Sequence, residues 1–139
     1  MVRIGQPVNM IIVNNDNDKI LLVKRAKKDD EFPDTWSLPG GGPEINETIE
    51  EALKREIKEE INCDIVNFLF FKSKYLIIKE DFHARALYFY GTVEGDIKLE
   101  ESELSDYKWF DINKDLLNLN FAFNQEDIIK DFIEFHNRN

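Results

Sequence analysis

Apolar residues recur along this chain with two different periods, and the change of period predicts the order of its elements. Short apolar runs at 8–13 and 20–23 flank a cluster of Asn and Asp residues, which predicts two strands that form a hairpin. Residues 65–78 are apolar and aromatic, residues 84–93 alternate between two faces, and residues 107–110 form a shorter run. Each of these three stretches is typical of a strand.

Helical periodicity occurs in two other stretches. The first begins after Asn46 or Thr48, either of which can cap a helix, and its apolar stripe starts at positions 49, 52 and 53. The second follows Asn124, and its apolar residues are Ile128, Ile129, Phe132, Ile133 and Phe135. A short helix or turn is expected at 111–117. Strands interleaved with helices predict an α/β fold with a mixed sheet between helices, and the length suits a single domain over residues 1–139.

The first helix carries acidic side chains where its apolar stripe should continue. A core-facing helix would have apolar residues at positions 56, 57 and 60, but this chain has Glu56, Ile57 and Glu60. At about 100° per residue, Glu56, Glu59 and Glu60 fall within roughly 100° of arc on the inward-leaning face. Three carboxylates placed there repel one another and lose solvation. A hard divalent cation such as Mg²⁺ would offset both effects.

A solvated acidic face, paired with Lys54, Arg55 and Lys58 on the same helix, is the alternative interpretation. Two features favour the metal site. The acids interrupt an apolar stripe, and three glycines at 40–42 precede the helix. Glycines allow the backbone to approach an ion or a phosphate closely.

The spacing of this stretch resembles the Nudix box of the Nudix hydrolases, which include the MutT-like enzymes. Gly41 is followed after five residues by Glu47, and after seven more by the run Arg55-Glu-Ile-Lys-Glu-Glu60. Asn46 and Asn62 stand where the family has glycine. Because Asn tolerates a left-handed backbone, both turns are expected to form. The resemblance implies the Nudix fold, an α/β/α sandwich around a mixed β-sheet.

The resemblance also implies roles for the acids. The carbonyl of Gly40 and the side chains of Glu56, Glu59 and Glu60 would bind Mg²⁺ or Mn²⁺. Arg55 would orient these acids through an ion pair with Glu47 or Glu56. An acid near residue 103 would join the metal site or act as the base, with Glu103 the first choice and Glu101 the second, and a solvated acidic loop is the alternative.

Three further residues are candidate substrate contacts. Arg25 matches a position from which related enzymes reach the substrate phosphates, which a planar guanidinium binds through two oxygens, although a solvated strand end would look the same. Arg85 would contact a phosphate or a base, or form an ion pair at the sheet edge. Asn124 would read a nucleobase, as an Asn does in the triphosphate branch of the family, or would simply cap the last helix.

Composition narrows the partners and the compartment. The net charge of −10 argues against binding nucleic-acid polymers, but a metal ion would still allow a small nucleotide to bind. Cys63 is the single cysteine, which predicts no disulfide and a reducing, cytoplasmic location. The apolar run 10–13 is too short for a signal peptide or a membrane span, so no membrane partner is expected. We expect a monomer or a homodimer.

The implied activity is hydrolysis of a nucleoside diphosphate linked to another group. The small domain favours nucleoside triphosphates. ADP-ribose, nucleotide sugars, dinucleoside polyphosphates and capped RNA remain alternatives. Two interpretations from other classes are a non-catalytic Nudix-fold binding module and an acidic interaction protein without metal.

Overall fold

The computed structural model describes residues 1–28 and 31–139, and in these residues eight strands and two α-helices are found. In chain order they are β1 (Arg3–Gly5), β2 (Val8–Ile12), β3 (Lys19–Arg25), β4 (Trp36–Ser37), β5 (Gly40–Gly41), α1 (Ile49–Ile61), β6 (Asp64–Lys79), β7 (Phe82–Glu94), β8 (Leu104–Asp111) and α2 (Glu126–Asn137). A 3-10 helix at Lys114–Asn118 lies where the short helix or turn was predicted. Neither α-helix has the length and apolar character needed to cross a membrane.

Strand β7 organises the larger sheet. It pairs in parallel with β1 and β2 and in antiparallel with β6, while β5 adds to the outer edge of β2 in antiparallel. A second, three-stranded sheet has the order β4-β3-β8. The arrangement is therefore mixed, as the alternating strand and helix patterns predict.

The prediction that β2 and β3 form a hairpin is wrong. The expected Asn- and Asp-rich turn joins the two strands, but they form no ladder, and a single isolated bridge pairs Val13 with Ile20. Each strand instead pairs with distant partners, β2 with β7 and β5, and β3 with β8 and β4. The two runs are buried on both faces, so their hydrophobic pattern carries no information about which strand lies beside them.

Alternate residues of the strands pack into two separate cores. Ile11, Ile20 and Leu22 face one side, where they pack with the apolar face of α2. Met10 and Leu21 face the other side, where they pack with the apolar face of α1. Helices thus cover both sides of the strands, which confirms the predicted α/β fold and places α1 and α2 on opposite layers.

Helix α1 begins and ends with the local chemistry that its sequence predicts. Thr48 is the N-cap, because its side-chain oxygen accepts from the N–H of Glu51. The Glu51 carboxylate in turn accepts from the N–H of Thr48, which completes a capping box. Asn62 ends the helix in a left-handed conformation with φ of 62°, and Asn46 has φ of 67°. Both asparagines therefore form the turns expected where the family has glycine.

Helix α2 begins differently from the prediction. Asn124 is not its N-cap. Asn124 and Phe123 both adopt left-handed conformations, with φ of 53° and 54°, so the chain enters the helix through Gln125, which occupies the N-cap position. A residue in the left-handed region cannot have the extended backbone that directs a capping side chain at the helix amides. Asn124 is exposed, whereas Gln125 is buried.

Candidate active site

A cavity of about 700 Å³ opens between the glycine loop before α1 and the strands of the larger sheet. One end is lined by the acids Glu56, Glu60 and Glu103 together with Gly40–Gly42. The other end is lined mainly by apolar side chains of β6 and β7 and by the segment before α2. The cavity therefore has a charged end and a neutral end, and these two names are kept below.

The glycine loop is pressed against the acids of α1. The N–H of Gly40 donates to Oε1 of Glu60 at 2.7 Å. A Cβ atom at Gly41 would lie 2.5 Å from the carboxylate of Glu56, so no other residue fits there without moving that acid. A Cβ atom at Gly40 would collide with the carbonyl oxygen of Val8. Gly40 has no room for a side chain because of the neighbouring backbone, and Gly41 has none because of the Glu56 carboxylate.

Arg55 holds the acids of α1 and those of the loop before it. Its Nε donates to Glu47 at 2.6 Å, and its Nη1 donates to Glu56 at 2.9 Å and to Glu59 at 3.1 Å. Its Nη2 donates to the carbonyl oxygen of Gly42 at 2.9 Å. The hydrogen bond to Arg55 lowers the pKa of Glu47, and the same bond is the main cause that raises the pKa of Arg55. Both ion pairs considered for Arg55 in the sequence are present.

The carboxylates of the charged end are crowded and poorly solvated. Glu60 is only 6% exposed, and its pKa is raised to about 8, first by burial and also by the neighbouring charges of Glu56 and Glu103. The N–H of Gly40 opposes that rise. Burial also raises the pKa of Glu56, although Arg55 acts against it. Ionisation of both acids is therefore unfavourable at this end.

The chemistry of this end fits a hard divalent cation. It offers carboxylate and carbonyl oxygens, which are the ligands that Mg²⁺ and Mn²⁺ take. Within the described residues, no three acidic, histidine or cysteine side chains are arranged to hold a metal ion as they stand. Arg55 donates hydrogen bonds to Glu56 and Glu59, and the N–H of Gly40 donates to Glu60. These bonds direct the carboxylates toward protein donors and not toward one common point. The donor types and the crowding of the acids fit the ion.

Arg25 lines the same cavity from the end of β3. Its guanidinium lies 5.1 Å from the ring centroid of Phe123, and its charge acts on Glu60 to lower the pKa of that acid. Glu103 is brought close because its carbonyl oxygen accepts from the N–H of Ala26, just after β3. The end of β3 thus carries a cation to the charged end of the cavity.

Five predicted residues lie outside the cavity lining, and one of them is Arg55, whose contacts are given above. Glu59 is more exposed than the inward-leaning arc predicts, with a side chain 56% exposed and held by Arg55 at the rim. Glu101 is exposed in the loop before β8. Arg85 is exposed on the face of β7 opposite to Ala84 and Ala86, which do line the cavity. Asn124 is exposed between two residues that line the cavity, Phe123 and Gln125. Gly40, Glu56, Glu60, Glu103 and Arg25 line one cavity. Glu59 is linked to Glu56 through Arg55, whereas Glu101, Arg85 and Asn124 lie outside the lining.

Three buried polar side chains of the lining were not predicted from the sequence. Asn9, Tyr88 and Gln125 are 7%, 1% and 2% exposed, and all three face the cavity. Oε1 of Gln125 accepts from the N–H of Leu38 at 2.8 Å, which fixes the orientation of its amide. One signal was available, because Asn9 is a lone polar residue inside the apolar run 8–13. Tyr88 and Gln125 carry no comparable signal in the sequence.

Comparison with known proteins gives a consistent picture over nearly the whole chain. The profile of the family described as NUDIX domain matches residues 5–132. An ADP-ribose pyrophosphatase of Methanocaldococcus jannaschii is 35% identical over 130 residues, which are 91% of this chain and 72% of that protein. An 8-oxo-dGTP diphosphatase of Buchnera aphidicola is 33% identical over 124 residues, which are 89% of this chain and 88% of that protein. A MutT structure, from a study of Aliivibrio salmonicida and Vibrio cholerae, superposes with a TM-score of 0.77 at 25% identity, covering 95% of this chain and 98% of that one.

Proposed function

This chain belongs to the NUDIX domain family, and from that membership we propose that it is a metal-dependent hydrolase of a nucleoside diphosphate linked to another group. The substrate we propose first is a nucleoside triphosphate, cleaved to a nucleoside monophosphate and pyrophosphate. We propose further that residues 1–139 form one domain, which acts in the cytoplasm on small nucleotides. The net charge of −10 supports the exclusion of nucleic-acid polymers.

One observation supports this proposal most strongly. Glu56, Glu60 and Glu103 line the same cavity as the Gly40 backbone and the Arg25 guanidinium. A cation and an arginine at one end of a cavity are the groups that a polyphosphate needs, since each neutralises phosphate oxygens. The size and the apolar character of the rest of the cavity leave room for the nucleoside.

In the proposed site, Glu56, Glu59, Glu60 and the Gly40 carbonyl would hold Mg²⁺ or Mn²⁺. When bound, the ion neutralises the phosphates and makes water a better nucleophile. A water oxygen bonds to one phosphorus, the P–O bond on the opposite side breaks, and the leaving phosphate keeps the electron pair. One of the α1 acids Glu56, Glu59 and Glu60, or Glu103, takes the proton of the water. Arg55 fixes the carboxylates of α1 in position.

The part played by Arg25 follows from its place beside Phe123. Its planar fork can bind two oxygens of one phosphate group, and the ring keeps the guanidinium at the end of β3 where the cavity begins. Arg85 and Asn124 have no comparable position, so we do not assign them substrate contacts. We propose instead that the amide of Gln125, which is fixed by Leu38, contacts the nucleobase through Nε2.

The experiment that tests the function is a substrate panel with saturating Mg²⁺. Triphosphates of all bases, 8-oxo-dGTP, ADP-ribose, nucleotide sugars and dinucleoside polyphosphates are compared, with the release of phosphate, pyrophosphate and nucleoside monophosphate measured separately. We expect pyrophosphate from at least one triphosphate, with the highest kcat/KM of the panel. Turnover of none of these compounds would contradict the enzymatic proposal and leave a binding module.

A second candidate is hydrolysis of ADP-ribose. The observation that favours it is the relative from Methanocaldococcus jannaschii, whose name is ADP-ribose pyrophosphatase and which aligns over 91% of this chain. On this candidate the panel gives its highest kcat/KM with ADP-ribose, and neither phosphate nor pyrophosphate is released from it. The two candidates are therefore separated by the same measurement.

A further inference from the structure

The face of the larger sheet that lies toward α1 is only partly covered by that helix. Met10 and Phe89 are buried in the core that α1 closes. Closer to the turn between β6 and β7, the same face carries apolar side chains that are largely exposed. Ile77 is 65% exposed, Tyr75 is 53% exposed and Ile4 is 45% exposed. A sheet of this class normally has both faces covered, and neighbouring exposed apolar side chains mark an interaction surface.

The strand register brings these side chains together. His83 on β7 is the partner of both Ile4 on β1 and Ile77 on β6, so the three residues form one row across three strands. Arg85, two residues further along β7, is the partner of Tyr75. The Tyr75 hydroxyl lies 2.5 Å from Nδ1 of His83, which links the two rings. Because cross-strand partners share one face of a sheet, these five residues form one surface, named the exposed patch below.

Charges of opposite sign lie at the two ends of the exposed patch. Arg85 is exposed, and it forms no ion pair in the described part of the chain. The same holds for Glu80 and Asp81, the two exposed acids of the turn between β6 and β7. Arg85 and Asp81 are each two residues from His83, so they lie roughly 7 Å from the row, on opposite sides of it. The patch therefore has a cation at one end and acids at the other.

This distribution makes the patch complementary to a second copy of itself. With a two-fold axis that runs across the strands along the row, Ile4, His83 and Ile77 each face their own copies. Arg85 of one copy then faces Asp81 of the other, and the same pair forms in reverse, because the two residues are equally far from the axis. Sheets that pack face to face lie about 10 Å apart, which extended Arg and Asp side chains span together. Such reciprocal contacts define a two-fold interface.

We propose that the exposed patch joins two copies of this chain in a two-fold symmetric dimer. Ile4, Tyr75 and Ile77 form its apolar centre, and reciprocal ion pairs between Arg85 and Asp81 flank that centre. Three strands cover a width of only about 15 Å, so the interface is smaller than the roughly 1,600 Å² typical of stable complexes, and the dimer dissociates in the micromolar range. Of these residues only Ile4 also lines the cavity, so the inference does not depend on the hydrolase proposal.

The first test is sedimentation equilibrium of Ile77→Asp, with Leu69→Asp as the matched control. Leu69 lies on the same strand and is 62% exposed, but it is the partner of Tyr90 and so belongs to the opposite face. The mass is measured from about 1 μM to about 500 μM chain. At about 0.15 M salt, repulsion between chains of net charge −10 is screened beyond about 8 Å. We expect Ile77→Asp to raise the Kd of the dimer at least about tenfold and Leu69→Asp to leave it unchanged.

Charge exchange tests which residues face each other. Arg85→Asp and Asp81→Arg each place like charges opposite one another at both ends of the patch, so each variant alone should be monomeric. When the two variants are mixed, both aspartates of one chain face both arginines of the other. The mixture should therefore form a heterodimer with about the same Kd as the unaltered dimer. Only a reciprocal contact between these two positions gives this result.

Three outcomes would overturn the proposal. The first is an unaltered chain that stays monomeric over the whole concentration range. The second is equal dimerisation of Ile77→Asp and Leu69→Asp, and the third is a mixture of the two charge variants that stays monomeric. Melting curves of all variants accompany the measurement, and we expect little change in Tm because the altered side chains are exposed. If Ile77→Asp does not fold, the mixture of charge variants decides alone.

Discussion

The charged and neutral ends of the cavity are built in opposite ways. Apart from Arg25 and Glu103, the charged end comes from one continuous segment, residues 39–60, in which a glycine loop meets one face of α1. The neutral end combines side chains of β2, β6 and β7 with the segment before α2. The spacing of residues along one helix determines which side chains form the charged end. The pairing of strands distant in sequence determines which side chains form the neutral end.

The two ends also differ in the free-energy cost of the polar groups that each end buries. At the charged end, buried carboxylates repel one another, and Arg55 and the Gly40 N–H offset only part of this. At the neutral end, the Tyr88 hydroxyl has no hydrogen-bond partner among residues 1–28 and 31–139, which costs less because this group carries no charge. Substitutions at the charged end should therefore have larger effects on both catalysis and stability.

The largest expected effect is the loss of activity on removing a carboxylate of α1. Glu59→Gln and Glu60→Gln should each lower kcat by about a hundredfold or more, because a neutral amide is a poor ligand for a hard cation. Turnover is measured with saturating Mg²⁺. Glu101→Gln is the control, because Glu101 is an exposed acid of the loop before β8 and does not belong to α1. Near-normal turnover of both α1 variants would show that the metal site lies elsewhere.

Arg25→Ala should have the next largest effect. If the guanidinium binds phosphate, kcat/KM should fall between about tenfold and a thousandfold, with little change in Tm. Lys24→Ala provides the comparison, because Lys24 is a neighbouring cation stacked 5.7 Å from the Trp36 ring centroid, outside the cavity lining. A large fall in Tm with unchanged specific activity would assign Arg25 a structural role instead.

How much of the molecule the sequence predicts depends on the range of the interactions. Helix α1 is predicted well, because the capping box at Thr48, the left-handed turn at Asn62 and the Arg55 ion pairs all join residues close in sequence. The acids at 56 and 60 are detected because they interrupt a local period. The existence of the later strands is likewise predicted by their alternation.

Long-range features were not predictable in the same way. The partners of β2 and β3 depend on β7 and β8, which lie far along the chain. The polar lining at Asn9 and Tyr88 appears only once those strands pair. The prediction that Asn124 caps α2 was wrong, because Phe123 and Asn124 are both left-handed and the N-cap is therefore Gln125. A bulky residue in that conformation has no sequence signal, since tertiary packing enforces it.

The crowding of the charged end predicts a pH-dependent stability. The folded-state pKa of Glu60 is raised to about 8, so its contribution to stability is present below its ordinary pKa near 4.5 and is lost as the pH rises through about 8. In the absence of metal, Glu60→Gln should therefore melt about 5 °C higher than the unaltered chain at pH 8.5, and the difference should shrink toward pH 5. Calorimetric melting curves at both pH values check this. A difference that is constant with pH would mean that Glu60 does not ionise in this range.

A smaller effect is expected at the neutral end, at Gln125. In Gln125→Glu, a carboxylate oxygen can still accept from the N–H of Leu38, but the donor Nε2 is lost. If Nε2 contacts the base, the ranking of kcat/KM among the four triphosphates should change by about threefold to tenfold. A uniform change across all four bases would indicate altered packing and not base recognition.

The smallest effect is expected one residue earlier, at Asn124, and it tests whether the neutral end begins at Gln125. Asn124 is exposed and left-handed, and it lies outside the cavity lining. Asp tolerates that backbone nearly as well, so Asn124→Asp should keep the free energy of unfolding within about 1 kcal/mol. Its kcat/KM profile across the four bases should match that of the unaltered chain, measured beside Gln125→Glu. A shifted profile in Asn124→Asp would restore the base contact to Asn124, because a carboxylate cannot donate where the amide did.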